Sequence, residues 1–271
     1  MKKMKRCLFV TLLCMLFLVG CKSKAAKEVE TLISNIGEVS LESEDAILQA
    51  EEYYETLTDS QKDQVETYKT LVDARKQYDA LVEEKKQAEE LAAFEEKANE
   101  LAGQTVKKQA DIDEINKLYE ALNDNQKSQL SDPELLSKAI ELTDYEKAAV
   151  GAVQQLRGQL KNQDSLELSQ VNVRIGGENT TAAYYVLIKY SATNSFGAAL
   201  DDTTCIDVTE DFSSLFWEMT RLFSRLGANA DVDKQDMTIY NLYLHDSTDE
   251  MEVDCERIME NIDVDLTETA D

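Results

Sequence analysis

Hydrophobic residues within 22–142 recur at the three- and four-residue spacing that is typical of amphipathic helices. The segment YETLTDSQKDQV, residues 54–65, returns as YEALNDNQKSQL, residues 119–130, with seven of twelve positions identical at a constant offset of 65 in the numbering. The register of apolar positions also holds outside these segments, where Ile47 corresponds to Ile112. A fixed offset indicates one supersecondary unit used twice. The pattern therefore predicts two helical repeats.

Polar residues within the repeated segment stand where helix caps are needed. Thr58 and Gln61 have the spacing of a capping box, in which the first side chain accepts from the amide of the second and the second reaches back. Asn123 and Gln126 occupy the equivalent positions in the second repeat. The helix that closes the first repeat is predicted from about Thr70 to Ala102, long enough to be shared by both repeats. We therefore assign the repeated polar residues to structure and not to a functional site.

After Leu142 the pattern changes to one that predicts a small α+β domain, residues 143–271. A helix is expected from Tyr145 to about Leu160, and two more are expected from Phe212 to Leu226 and around Cys255. Alternating or short apolar runs bounded by turn residues predict four strands. These are Leu166–Ile175, Ala182–Ala192, Thr203–Thr209 and Met237–His245. Four antiparallel strands with helices on one face form an α+β domain.

The segment 1–21 differs from the rest of the chain, because a basic start is followed by an unbroken apolar run, Leu8–Val19. That run is shorter than the roughly 20 residues of a transmembrane helix, and its flanks are typical of a secretory signal peptide. It ends in LVGC, residues 18–21, which resembles the lipobox of bacterial lipoproteins. The resemblance implies cleavage before Cys21, a lipid on its sulfur, and a mature chain on the extracytoplasmic face of the cell membrane. An ordinary signal peptide that happens to contain a cysteine is the alternative.

Lipidation would leave a short basic segment, residues 22–27 (KSKAAK), next to the membrane, where anionic lipid attracts lysine. The segment 1–21 holds four of the 28 basic residues and none of the 54 acidic ones, so the chain that follows it has a formal charge of −30. Such a surface repels phosphates, which excludes nucleic acid as a partner. The acidic residues are spread along predicted helices, and this distribution favours solubility.

Cys205 and Cys255 are the cysteines that follow Cys21. In an exported protein they could form a disulfide. Two separate buried thiols are the alternative, because free cysteine often packs as a small hydrophobe. The spacing of the two residues does not decide between these states.

The sequence has no constellation typical of catalysis or metal binding. Its one histidine, His245, and the absence of a glycine-framed serine argue against a hydrolase triad. Two cysteines and one histidine in separate segments do not form a zinc pattern. Asn229, Asp231 and Asp233 match the first positions of a calcium loop, but Lys234 replaces the required glycine. We therefore expect no catalytic residue, no metal and no cofactor.

The repeats resemble small helical repeats of Gram-positive surface proteins, whose hallmark is Tyr-x-x-Leu-Thr-x-x-Gln-Lys-x-x-Val. Residues 54–65 match it throughout, and the second copy departs from it at Asn123 and Leu130. Residues 160–197 are similar to a small module at the C-terminal end of other Gram-positive lipoproteins. The repeat resemblance implies a spacer or an interaction scaffold, and neither resemblance implies a catalytic residue.

These observations predict a membrane-anchored lipoprotein of non-catalytic binding type, with residues 1–21 as signal peptide. The helical repeats, residues 22–142, would be a stalk that presents the C-terminal domain to an envelope or extracellular protein. A small-molecule receptor or enzyme with its site in residues 143–271 is one alternative. A purely structural envelope spacer is another.

Replacing Cys21 by alanine tests the predicted anchor. Cells grown with radiolabelled palmitate should label the wild-type protein and not Cys21→Ala, because only the wild type offers the sulfur to the lipid. The variant should also leave the membrane fraction. A variant that stays membrane-bound, or a wild-type protein without label, would contradict lipid anchoring through Cys21.

Overall fold

The computed structural model describes residues 22–177, 182–193, 196–213, 243–245 and 247–266. Within them, a helical N-terminal part is followed by a four-stranded antiparallel sheet with helices, which confirms the predicted fold class. None of the described helices combines the length and the apolar character that crossing a bilayer requires.

The first repeat contains three helices and the start of a fourth. These are α1 (Lys24–Ile36), α2 (Glu44–Glu55), α3 (Asp59–Lys62) and α4 (Tyr68–Ala102). Ser23 caps α1, and its hydroxyl accepts from the amide of Ala26 at 3.1 Å. The apolar faces form one core whose most buried members include Val29, Ile33, Ile47, Ala50 and Leu71.

The second repeat uses the end of α4 as its opening helix. It continues with α5 (Gln109–Ala121), α6 (Asp124–Ser128) and α7 (Leu135–Ile140). Its core repeats the first at the offset of 65, since it contains Phe94, Ala98, Leu101, Ile112, Ile115, Leu122 and Ala139. The predicted duplication is therefore present in the fold as well as in the sequence.

Polar contacts repeat at the same offset. The Glu30 carboxylate accepts from the amide of Glu66 at 2.9 Å, and the Glu95 carboxylate accepts from the amide of Ser131 at 2.7 Å. Each pair ties the opening helix of a repeat to the turn that follows the capping-box helix. An aromatic contact is also duplicated: Lys62 Nζ lies 5.0 Å from the centre of the Tyr54 ring, and Lys127 Nζ lies 4.7 Å from that of Tyr119.

The predicted capping boxes are confirmed in both repeats. The Gln61 side chain accepts from the amide of Thr58 at 2.9 Å, and Gln126 accepts from the amide of Asn123 at the same distance. Ser43 precedes α2, but its hydroxyl accepts from the amide of Ser40 and not from the helix.

The chain divides into two compact units at Glu89 and Glu90, inside α4. The first unit contains most of the first repeat, and the second contains the second repeat together with the C-terminal domain. Residue 143 lies inside the second compact unit.

The C-terminal domain begins with α8 (Asp144–Gln159), followed by a 3₁₀ turn (Gln163–Ser165). The strands are β1 (Glu167–Gly176), β2 (Tyr184–Thr193), β3 (Ala199–Val208) and β4 (Ser247–Val253), and α9 (Cys255–Glu260) follows. The sheet order is β3-β2-β1-β4, with every neighbouring pair antiparallel. The first three strands lie close to their predicted positions.

The fourth strand and one helix differ from the prediction. Residues 237–242 lie outside the described part, and Tyr243–His245 form a helical turn where a strand was expected. The strand that pairs with β1 is β4, which has only two apolar residues in its sequence STDEMEV. Phe212 and Ser213 belong to a turn and not to the predicted helix, because Phe212 has a φ of 59°. The remaining residues of the predicted helix, 214–226, lie outside the described part of the chain.

Alternation along the strands gives the sheet two unlike faces. One face packs against α8 and α9 through buried aliphatic residues: Val171, Val173, Val186, Ile188, Ile206 and Val208. The other face has Arg174 opposite Tyr185 and Asn172 opposite Leu187 in the β1–β2 pairing. The helix side therefore supplies the core of the domain, and the second face is polar and aromatic.

A buried charged group joins the second repeat to the C-terminal domain. Glu146, in the first turn of α8, is fully buried, and Lys107 and Arg257 are each 3% exposed. One oxygen of Glu146 accepts from the backbone amide of Lys107 at 2.7 Å, and Arg257 Nε lies 3.7 Å from it. The other oxygen accepts from the amide of Thr143 at 2.9 Å, which completes a third capping box.

The two cations of this junction also cap the end of α7. Lys107 Nζ donates to the carbonyls of Lys138 and Glu141 at 3.2 and 2.7 Å, and Arg257 donates to the carbonyl of Ile140. The last carbonyls of a helix lack intrahelical partners and are the negative end of its dipole. Burial lowers the pKa of Lys107 and of Arg257, and Glu146 opposes the shift in both. The end of α7, the Glu146 carboxylate and the two cations therefore stabilise one another.

Replacing Glu146 by alanine should destabilise the second compact unit. The change leaves Lys107 and Arg257 as buried cations without their anion, so we expect a loss of about 3 kcal/mol in the free energy of unfolding. Urea denaturation followed by circular dichroism measures it.

The matched control is Glu141→Ala, because the Glu141 side chain is 65% exposed and its carbonyl is retained. It should change the free energy of unfolding by less than about 0.5 kcal/mol. Equal losses in the two variants would contradict the role assigned to Glu146.

Candidate functional site

The sequence-derived site residues are not brought together. Cys21 and the calcium-like residues Asn229, Asp231 and Asp233 lie outside the described part of the chain. His245 is exposed in its helical turn. In the described ranges, no three His, Cys, Asp or Glu side chains are grouped so that they could hold a metal ion.

Cys205 and Cys255 are free thiols, so the disulfide considered from the sequence is not formed in this structure. Cys205 is on edge strand β3 and packs with Tyr185 and Tyr243 on the second face, whereas Cys255 packs against the core on the helix side. Three strand spacings, about 14 Å, separate β3 from β4, which ends just before Cys255. Burial raises the pKa of both thiols, and nearby acidic residues add to the shift. The raised pKa of each thiol disfavours the reactive thiolate at neutral pH.

The best-developed polar cluster lies on the second face of the sheet. The Glu250 carboxylate accepts from Asn172 Nδ2 at 2.6 Å, from the Tyr243 hydroxyl at 3.0 Å and from two nitrogens of Arg174. Arg174 also donates to the carbonyl of Tyr243 at 3.0 Å and lies 4.5 Å from the centre of its ring. The cluster therefore ties β1, β4 and the turn before β4 together.

Glu250 is unsuited to acid–base catalysis because its oxygens are occupied by donors. The bonds from Arg174, with those from Tyr243 and Asn172, hold the pKa of Glu250 below its usual range despite partial burial. Burial and the bond to Glu250 raise the pKa of Tyr243. A general acid or base near neutral pH needs its pKa moved toward 7, and both groups are moved away from it. We assign this cluster to structure.

A cleft of about 760 Å³ opens at the opposite end of the sheet from the β2–β3 connection. One wall is the end of β1 and the start of β2, with Gly176, Ala183 and Tyr184. The other wall is the turn after β3, with Thr209, Glu210, Asp211 and Ser213. The same turn separates this cleft from a second one of about 620 Å³ that lies against α8 and residues 264–266. We take the first cleft as the candidate binding site of the domain.

The turn after β3 is held by its own polar groups. The amide of Thr209 donates to the carbonyl of Ser213 at 2.8 Å, and the hydroxyl of Ser213 donates to the Asp211 carboxylate at 2.7 Å. The Thr209 hydroxyl also bonds to Asp211, and these bonds lower the pKa of the Asp211 carboxyl. The cleft wall is therefore an anionic, hydroxyl-bearing loop with a fixed internal structure.

Aromatic rings form the floor behind that wall. The Phe212 ring stacks on Tyr184 with 6.1 Å between ring centres, and Tyr145 meets Tyr184 edge-on at the same distance. Lys147 Nζ lies 5.7 Å from the centre of the Phe212 ring. Burial raises the pKa of Tyr184, and its carboxylate and tyrosine neighbours add to the shift. These contacts anchor the turn to α8 and to β2.

The cleft provides hydroxyl groups, carboxylates and an aromatic edge. The Thr209 and Ser213 hydroxyls lie beside the Asp211 carboxylate, but these bonds hold the turn and lower the pKa of Asp211, which disfavours it as a general base. It could bind a polar surface or a peptide through hydrogen bonds. Sequence reasoning missed it because Phe212 looked like the first residue of a helix. A usable signal was the run Thr-Glu-Asp-Phe-Ser, residues 209–213, whose side chains favour local turns over helix.

Comparisons with protein-family models, with curated protein sequences and with solved structures return no match to this chain.

Gly151 of α8 lies directly beneath the turn, where a Cβ atom would meet the carbonyl oxygen of Phe212 at a separation that real Cβ atoms do not show. Gly151→Ala should therefore displace the turn and destabilise the protein by about 1–3 kcal/mol. Hydrogen exchange of residues 209–213 should become faster, and urea denaturation measures the loss.

Gly158→Ala on the same helix is the control, because a Cβ there meets nothing within 4 Å. It should stabilise the protein by about 0.5–1 kcal/mol through helix propensity. If both substitutions stabilise the protein, Phe212 does not pack on Gly151 as described.

Proposed function

We propose that the protein is a lipid-anchored, extracytoplasmic binding protein of non-catalytic type. Its helical repeats are the stalk, and its C-terminal domain is the part that binds a protein of the cell envelope or its surroundings. The anchor is the lipid on Cys21 that the lipobox implies.

The observation that carries this proposal is the buried junction of Glu146, Lys107 and Arg257. A stalk can present a binding domain only if the two are firmly joined, and this group fastens α7, α8 and α9 to one another. The second repeat and the domain also form one compact unit. A loosely linked domain would have had an exposed polar linker at residue 143 instead.

The repeats themselves support a mechanical role. Their recurring polar residues are used within each repeat, Gln61 and Gln126 in caps and Glu30 and Glu95 in bonds to turn amides. A side chain whose hydrogen-bonding atoms are used within its own repeat has fewer of them left to bind a ligand. This use of the repeated residues favours the stalk over a binding site in the helical region.

The shape of the cleft favours a macromolecular partner. Its volume lies within the range of small-molecule sites, but such sites bury most of the ligand in an enclosed, mainly apolar cavity. As far as the described residues form it, the cavity is an open cleft with a polar wall that includes Glu210 and Asp211. An open polar surface suits contact with another protein, and its carboxylates favour a partner with basic side chains at the contact.

Charge reversal at the cleft tests the proposal. A chain of residues 22–271, without Cys21 and its lipid, is immobilised and exposed to solubilised cell envelope, and Glu210→Lys is compared with the wild type. We expect a protein that the wild type retains at moderate salt to be reduced at least tenfold on Glu210→Lys, because the charge at the contact is inverted.

Glu167→Lys is the matched control, because Glu167 is exposed at the other end of the same sheet. It should retain the partner at the wild-type level. Loss on Glu167→Lys alone would place the contact at the opposite end of the domain, and equal retention by all three chains would contradict binding through the cleft. Retention by a chain that lacks residues 143–271 would favour the spacer role.

A further inference from the structure

The start of the mature chain is fastened to the first repeat from its first described residues. Ser23 does more than cap α1, because its backbone amide donates to Gln64 Oε1 at 2.7 Å. Gln64 belongs to the turn after α3, 41 residues away. The backbone at Ser23 is thereby held to two parts of the repeat at once.

Lys22 adds an ionic contact to the same place. Its ammonium group forms an ion pair with Glu30 and lies 3.6 Å from a carboxylate oxygen of Glu66. The Glu30 carboxylate in turn accepts from the amide of Glu66 at 2.9 Å. Lys22, α1 and the turn at residues 64–66 therefore form one closed set of contacts, and no free residue separates position 21 from the fold.

These contacts engage one lysine of the basic segment, residues 22–27, that was predicted to lie next to the membrane. Lys22, which was expected to face lipid, is paired inside the repeat, whereas Lys24 and Lys27 are exposed on α1. Residues 22–36 contain three lysines and two glutamates, so α1 and its cap are net positive in a mature chain of formal charge −30. The turn at residues 64–66 adds Glu66, whose side chain is 87% exposed, so attachment at residue 21, and not net charge, places this end of the repeat next to the membrane.

We propose that the first repeat rests directly on the lipid headgroups, through the N-terminal end of α1 and the turn at residues 64–66. This inference relies on the lipid at Cys21 that the proposed function includes. Consecutive Cα atoms are about 3.8 Å apart, so a lipid on residue 21 places the fastened residues 22 and 23 within a few ångströms of the bilayer surface. The bilayer is thus a contact surface of this repeat and not only the site of its anchor.

Neutron reflectometry on a supported bilayer tests this placement. The chain from residue 21, with Cys205→Ala and Cys255→Ala, is coupled through Cys21 to a maleimide phospholipid in a bilayer that contains phosphatidylglycerol. A second chain has twelve glycine and serine residues inserted between Cys21 and Lys22. That insertion lies outside the fold, and circular dichroism checks that both chains are folded.

We expect protein density to begin at the headgroups for the direct chain. The inserted chain should show a hydrated layer of roughly 20 Å, the span of a flexible twelve-residue linker. The same hydrated layer under both chains would overturn the inference. Because the lipid is attached chemically, this result does not depend on lipidation in cells; a failure of the anchor itself appears only as an absence of palmitate label.

Discussion

The carboxylate of Glu146 is the group on which the second repeat and the C-terminal domain both depend. It completes the cap of α8, accepts from the backbone of Lys107 and balances the charge of Arg257. The capping boxes of the two repeats have a neutral glutamine at the same position, Gln61 and Gln126. At the third box two buried cations are present, and a buried cation needs an anion. The third capping box is therefore also a tertiary contact between the second repeat and the C-terminal domain.

Local pattern predicted the repeats, the first three strands and α8, because those elements bury their own apolar stripes. β4 could not be found in the same way. It has only Met251 and Val253 as apolar residues, and it is a strand because it pairs with β1 and because Glu250 reaches Asn172 and Arg174. Contacts between segments so far apart in the chain leave no trace in a short sequence window.

The candidate site was less predictable than the fold. Its wall depends on a positive φ at Phe212 and on the missing side chain of Gly151, which are distant in the sequence and have meaning only together. The sequence around Phe212 has helical periodicity, and the turn prevails because polar groups of residues 209–213 bond to one another. The buried junction was equally hard to predict, because Lys107, Glu146 and Arg257 come from three separate segments of the chain.

The constant offset between the two copies has a consequence for how the chain could lengthen or stop. The start of α4 corresponds to α7, and its end corresponds to α1, so one continuous helix closes the first copy and opens the next. Duplication of a segment of that length would therefore insert a complete copy together with the helix that the following copy requires. The array stops where α7 stops, because Lys107 and Arg257 cover the carbonyls from which a longer helix would have continued. In the language of repeat proteins, the C-terminal domain caps the array, with Lys107 supplied by the last copy and Arg257 by the domain itself.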